Sequence, residues 1–225
     1  MQATTKLVGS SLPKRQFSPS FGWSKRCFSF SFAGPKKLHD ILKKELVEDK
    51  SRTEISDLWY TYHESKDNVH GLVLGGKETK ALIPRAAISP FYIQPIFRDD
   101  GHFMLVSQFF EPSHFIMAYL EDYKMDPTAA QPLLSFSIFD DYADDKDLTL
   151  VRADIMNNGI DEGEGLKVVK AMLDNYKNDD EYLNVRAFNT KPDSFDLDGF
   201  IAQQSEKWNT ANDDKTANKT VDIES

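Results

Sequence analysis

The sequence predicts an α+β fold: an antiparallel-dominated sheet, built as a hairpin and meander and packed by helices. An N-terminal helical pair and a disordered C-terminal tail complete it. Three patterns carry this reading. The run FYIQPIF from Phe91, the loop Arg98-Asp99-Asp100-Gly101 and the run HFMLVSQFF from His102 place two apolar segments around a short Asp-Gly loop, the signal of an antiparallel hairpin. Ser51 and Glu54 form a Ser-x-x-Glu capping box, in which hydroxyl and carboxylate reciprocally satisfy the first backbone donors of a helix. Three acids, Asp161, Glu162 and Glu164, stand at the positive end of a segment in which Leu166, Val169, Leu173 and Tyr176 recur at helical spacing.

The remaining elements follow in chain order. From Pro35 to Asp49, Leu38, Ile41, Leu42 and Leu46 predict a first amphipathic helix, joined at Lys50 and Ser51 to the capped second one. In the second helix Ile55, Leu58, Trp59 and Tyr62 share one face and are expected in the core; Tyr60 projects off that face and His63 lies at its edge. Val69–Leu74 reads as a strand, and 77–88 as a helix interrupted by Pro84. Pro95 cannot donate to a ladder, which assigns its strand to an edge or a bulge. HFIMAYL, LLSFSIF and LTLVRADI predict further strands, with one sheet face packed and the other wet. YLNVRAF reads as a last strand, and Asp196 as the cap of a final helix burying Leu197, Phe200, Ile201 and Trp208. The residues from Asn209 onward are polar and predict the tail, so one domain is expected over 36–208.

The formal charge of -9 is unevenly spread. Residues 1–35 hold five basic side chains (Lys6, Lys14, Arg15, Lys25, Arg26) and no Asp or Glu, so all 36 acidic residues lie beyond them. A body that acidic repels phosphate backbones and anionic lipid, which argues against nucleic acid or a membrane surface as partner. The first 35 residues, rich in Ser, Phe and basic groups and lacking a long apolar core, have the composition of an organellar transit peptide. Arg26-Cys27-Phe28 matches an Arg-x-Phe processing pattern, which places cleavage near Phe28 or, after a further trim, near Pro35; a plastid address stays open beside the mitochondrial one. Cys27 is the single cysteine and lies in the segment expected to be removed, which leaves no thiol for disulfides, nucleophilic catalysis or metal ligation. No apolar run approaches the roughly 18 residues that span a bilayer.

No motif assigns a catalytic, cofactor or metal site. Gly71 to Lys77 nearly matches a phosphate-binding loop, but Glu78 stands where that loop needs a hydroxyl for magnesium, and a strand ending in a glycine turn is the better reading. The acidic run Asp140, Asp141, Asp144, Asp145 and Asp147 lacks the ligand order and glycine of a calcium loop and reads as a solvated connection. His39, His63, His70, His102 and His114 show no paired-ligand spacing, and no Gly-x-Ser-x-Gly elbow is present.

The stretch KKLHDILKKELVEDKSRTEISDLWYTYHESKD, followed by SPFYIQPIFRDDGHFMLVSQFF, EDYK, LTLVRADI and VRAFNTKPDSFD, resembles the mitochondrial assembly factors that chaperone the β subunit of ATP synthase. The resemblance spans roughly residues 36–206, and its most specific element is Trp59, Tyr62, His63 and Lys66. It implies a non-enzymatic matrix chaperone that binds the unassembled β subunit and prevents its aggregation until the α subunit associates, with import and processing machinery as partners of the leader. Tyr60, His63, Phe91 and Phe110 are the contact residues this reading selects. The competing expectation is a small matrix enzyme, hydrolase-like, using His63 or His102 with nearby carboxylates; a third is an interaction domain of the plastid.

Overall fold

The computed structural model describes residues 34–99 and 101–219, with side chains described as far as Thr210. The leader and its cleavage position at Phe28 lie outside the described residues; Pro35 lies just inside them, ahead of the first helix. Six strands form one antiparallel sheet: β1 (Val69–Leu74), β2 (Phe91–Arg98), β3 (Gly101–Phe110), β4 (His114–Tyr119), β5 (Pro132–Tyr142) and β6 (Leu148–Ile155). Strands β2 to β6 run as a meander and β1 is added beyond β6, giving the order β1-β6-β5-β4-β3-β2. The hairpin falls where the Asp-Gly loop predicts, and Pro95 lies in an edge strand, as its missing donor requires.

Helices cover both faces. On one, α4 (Leu82–Ile88), α6 (Glu162–Lys177), α7 (Asp179–Thr190) and α8 (Leu197–Lys219) bury Leu82, Val169, Met172, Tyr176, Val185 and Phe200 against Leu72, Phe115, Phe136 and Val151. On the other, α2 (Arg52–Glu64) seals Ile55 and Trp59 over Phe139, Leu148 and Leu150, while α5 (Leu120–Met125) covers Val106 and Ala118 with Tyr123. The expectation of one wet face is therefore corrected. Ser135 and Ser137, which alternate with Leu134, Phe136 and Ile138 along β5, are buried at 1% and 7% exposure. A serine tolerates this when its hydroxyl is matched, and Ser137 Oγ lies 2.9 Å from His114 Nδ1.

Four local readings also change. The first predicted helix is only α1 (Leu38–Ile41) followed by a 3-10 turn at Lys44–Leu46; Leu38 and Val47 are buried, whereas Leu46 is exposed. The break in 77–88 falls between α3 (Gly76–Thr79) and α4, and Pro84 sits in the first turn of α4, where its missing N–H costs no intrahelical bond. YLNVRAF is the body of α7: Tyr182, Val185 and Phe188 are spaced by three, and Asp179, Asp180 and Glu181 fill the first turn, where the helix dipole favours them. Finally, α8 starts as predicted, with Asp196 accepting from Gly199 N–H at 3.1 Å, but its backbone continues past Trp208 to Lys219 through a run without Gly or Pro.

Candidate functional site

The C-terminal half of α2 lies flat on β1, and the contact depends on Gly71. A Cβ there would stand 2.6 Å from His63 Nδ1 and 2.9 Å from Trp59 Nε1. Gly71 is thus an interior strand residue over which the helix packs. The glycine stretch makes no phosphate loop, because Lys77 N–H already donates to Asp147 Oδ1 at 2.9 Å. That carboxylate also pairs with Arg52 at 3.1 Å, so the last member of the acidic run ties α2 and α3 to the β5–β6 connection. Replacing Gly71 with Ala is expected to destabilise the protein by about 1–3 kcal/mol through overpacking, where Gly to Ala in an open strand would stabilise it. A thermal midpoint that stays level or rises would show that the helix does not approach this closely.

Trp59, Tyr62, His63 and Lys66 do come together at this end of α2. Trp59 Nε1 donates to Val151 C=O at 3.1 Å, and its ring centroid is 4.2 Å from that of His63. Tyr62 stands edge-on to His63 at 5.0 Å, and Lys66 Nζ sits 4.3 Å above the Tyr62 ring. The buried line of the helix is Ile55, Trp59 and His63, one every four residues, whereas Leu58 and Tyr62 are 43% and 39% exposed. This corrects two expectations: Leu58 and Tyr62 leave the core, and His63, at 2% exposure, lies beneath the helix and offers no outer surface.

The tautomer of His63 follows from its partners. A carbonyl can only accept, so Nδ1, 2.7 Å from Trp59 C=O, carries the proton. The lone pair on Nε2 then faces Arg152 Nη1 at 3.5 Å, and Arg152 is held by Asp154 through Nε at 2.9 Å and Nη2 at 2.5 Å. Burial lowers the His63 pKa and the Arg152 charge lowers it further, while the Trp59 carbonyl opposes both. Both nitrogens are engaged, and Arg152 separates the ring from Asp154. His102 is exposed in β3 with its ring 5.7 Å from Phe97. Among the described residues neither histidine makes a hydrogen bond or ion pair to a carboxylate, the pairing that a hydrolase reading requires. Among the described residues no group of three His, Cys, Asp or Glu converges on a metal position.

The three aromatic contact candidates do not form one patch: Tyr60 stands apart from Phe91 and Phe110, which lie on paired strands. Tyr60 is 41% exposed on α2 beside β1; Phe91 and Phe110 are half-buried in β2 and β3, four to five strands away, a span on the order of 20 Å. What adjoins Tyr60 instead is a groove of about 440 Å³ along β1, closed on its far side by Leu166, Lys170, Leu173 and Asp174 of α6. Sequence reasoning missed this groove, since its walls lie about a hundred residues apart; the acids capping α6 marked the helix without its position.

A family model described as "ATP11 protein" matches residues 26–201. The chain belongs to the ATP11 family. The match begins inside the segment read as a leader and runs into α8. Proteins from Danio rerio, Mus musculus and Homo sapiens, each named ATP synthase mitochondrial F1 complex assembly factor 1, are 24%, 25% and 23% identical to this ATP11-family chain. The similarity covers 76%, 80% and 80% of the chain and 57%, 55% and 55% of those proteins, so the chain spans little more than half the length of these relatives.

Proposed function

We propose that this chain is a mitochondrial assembly factor for the F1 head of ATP synthase: a non-enzymatic matrix chaperone that holds the unassembled β subunit and keeps it from aggregating until the α subunit takes its place. The observation that carries the reading is membership of the ATP11 family over most of the chain, together with relatives named as F1 assembly factors. Two physical features support it. An orphan subunit exposes apolar interface and unpaired backbone, which drive aggregation. A chaperone that must later be displaced needs modest contact area and charge that speeds encounter, and this chain combines a net charge of -9 with isolated exposed apolar side chains such as Ile88, Met125 and Leu183. The basic, acid-free first 35 residues suit import and later removal.

The test is direct. Purified protein added at equimolar ratio to isolated β subunit is expected to suppress light scattering on warming and to co-elute with it; added α subunit is expected to release it. No effect on scattering and no co-elution would remove the proposal.

A further inference from the structure

The sheet has two edges, and the chain treats them differently. In β2, Pro90 C=O accepts from Phe109 N–H at 2.7 Å, so antiparallel alternation turns Phe91, Ile93, Pro95 and Phe97 outward. Both outward groups of Phe91 are taken by one side chain: its N–H donates to Asn189 Oδ1 at 3.1 Å, and Asn189 Nδ2 donates to its C=O at 2.5 Å. Pro95 has no N–H to leave open. Each feature blocks addition of another strand.

Among the described residues the edge at β1 has neither a proline nor a side chain bonded to its outward backbone groups, although α2 packs over one face of the strand. Ile155 N–H donates to Asn68 C=O at 2.8 Å, which pairs His70, Leu72 and Leu74 inward with β6 and turns the backbone groups of Val69, Gly71 and Val73 outward. Among the described residues nothing bonds to those groups. Gly71 and Val73 line the 440 Å³ groove between Tyr60 on one sheet face and Leu166 and Leu173 on the other. Lys170 lines the same groove and, among the described residues, has no ion-pair partner.

We infer that the β1 edge takes an extended segment of the client polypeptide as a seventh strand. Alternate apolar side chains of that segment lie against Tyr60 and against Leu166 and Leu173, and an acidic side chain meets Lys170. The inference rests on the chaperone reading above and assigns its surface. Strand addition suits such a task because main-chain bonds hold an aggregation-prone segment, while a contact only six residues long stays displaceable.

The probe is the isolated β subunit, with affinity and amide hydrogen exchange measured on the full chain. Val73→Pro removes one outward donor at a position where Leu72 is already extended, and is expected to weaken binding about ten-fold. Lys170→Glu, an exposed change that touches no packing, is expected to weaken it several-fold with a reversed salt dependence. In the wild-type complex the amides of Val69, Gly71 and Val73 are expected to exchange at least ten-fold more slowly. Should the wild type bind while exchange at these amides and the affinity of Lys170→Glu stay unchanged, the interface lies elsewhere and the inference falls, whatever Val73→Pro does to folding. A self-association abolished by Val73→Pro, without subunit binding to this edge, would assign the edge to a second copy and overturn it. A wild type that binds no subunit removes the chaperone reading as well.

Discussion

Replacing Trp59 with Ala is expected to cost about 3–5 kcal/mol, enough to lower the thermal midpoint by roughly 10 °C or more in a chain of this size. Trp59 is 1% exposed and joins three parts of the second core: the His63 ring at 4.2 Å, Phe139 edge-on at 6.0 Å, and the β6 backbone through the indole N–H. Truncation leaves a hole under a helix whose other deep anchor is Ile55. It also exposes the buried His63–Arg152–Asp154 chain to rearrangement. Trp59→Phe separates the contributions: it keeps most of the volume and loses only the hydrogen bond to a carbonyl that the β1–β6 ladder also serves, so about 1–2 kcal/mol is expected. Leu58→Ala, one residue away and 43% exposed, is expected to cost under about 1 kcal/mol. Equal losses for Trp59→Ala and Leu58→Ala in denaturant titration would contradict the buried line drawn here.

That comparison shows where the sequence was readable and where it was not. The Ser51–Glu54 capping box, the acids ahead of Leu166, the Asp-Gly loop and Pro95 are local chemistry, and each lands where it was predicted: at the starts of α2 and α6, at the β2–β3 turn and in an edge strand. The face of α2 was misjudged because periodicity counts apolar residues. Ile55, Leu58, Trp59 and Tyr62 fit a helical stripe as well as Ile55, Trp59 and His63 do. Only the partners of His63, a carbonyl one turn back and an arginine 89 residues on, make a histidine acceptable in the core. YLNVRAF failed for the opposite reason: its β-prone letters outweighed three acids ahead of it, and Leu183, Val185 and Ala187 alternate as in a strand while Tyr182, Val185 and Phe188 recur as in a helix. The position of β1 beyond β6 depends on pairing across some eighty residues, which no local pattern encodes, so the open edge and its groove were invisible until the sheet was closed.

A second buried histidine sets an acid limit to stability. His114 is 4% exposed, its Nδ1 2.9 Å from Ser137 Oγ, and burial pushes its pKa from the usual 6.5 down to about 4, against the pull of Asp154 and a Phe136 backbone hydrogen bond toward the charged form. The folded protein therefore keeps His114 neutral where the unfolded chain protonates it. Below pH 6.5 the unfolded state binds the extra proton, so stability is full above that value, falls as pH drops, and stops falling near pH 4, when the folded state protonates too. A shift of that size corresponds to about 3 kcal/mol between pH 7 and pH 4. His63, shifted the same way, adds to the slope in the same direction, so the wild-type curve alone does not isolate His114. The difference between wild type and His114→Gln does: Gln keeps a polar partner for Ser137 without a titrating ring, and its stability advantage is expected to grow by about 3 kcal/mol on going from pH 7 to pH 4. Parallel stability curves for the two proteins across that range would show that His114 is already charged in the folded state, or reaches water, and that β4 and β5 are less tightly covered than the structure has them.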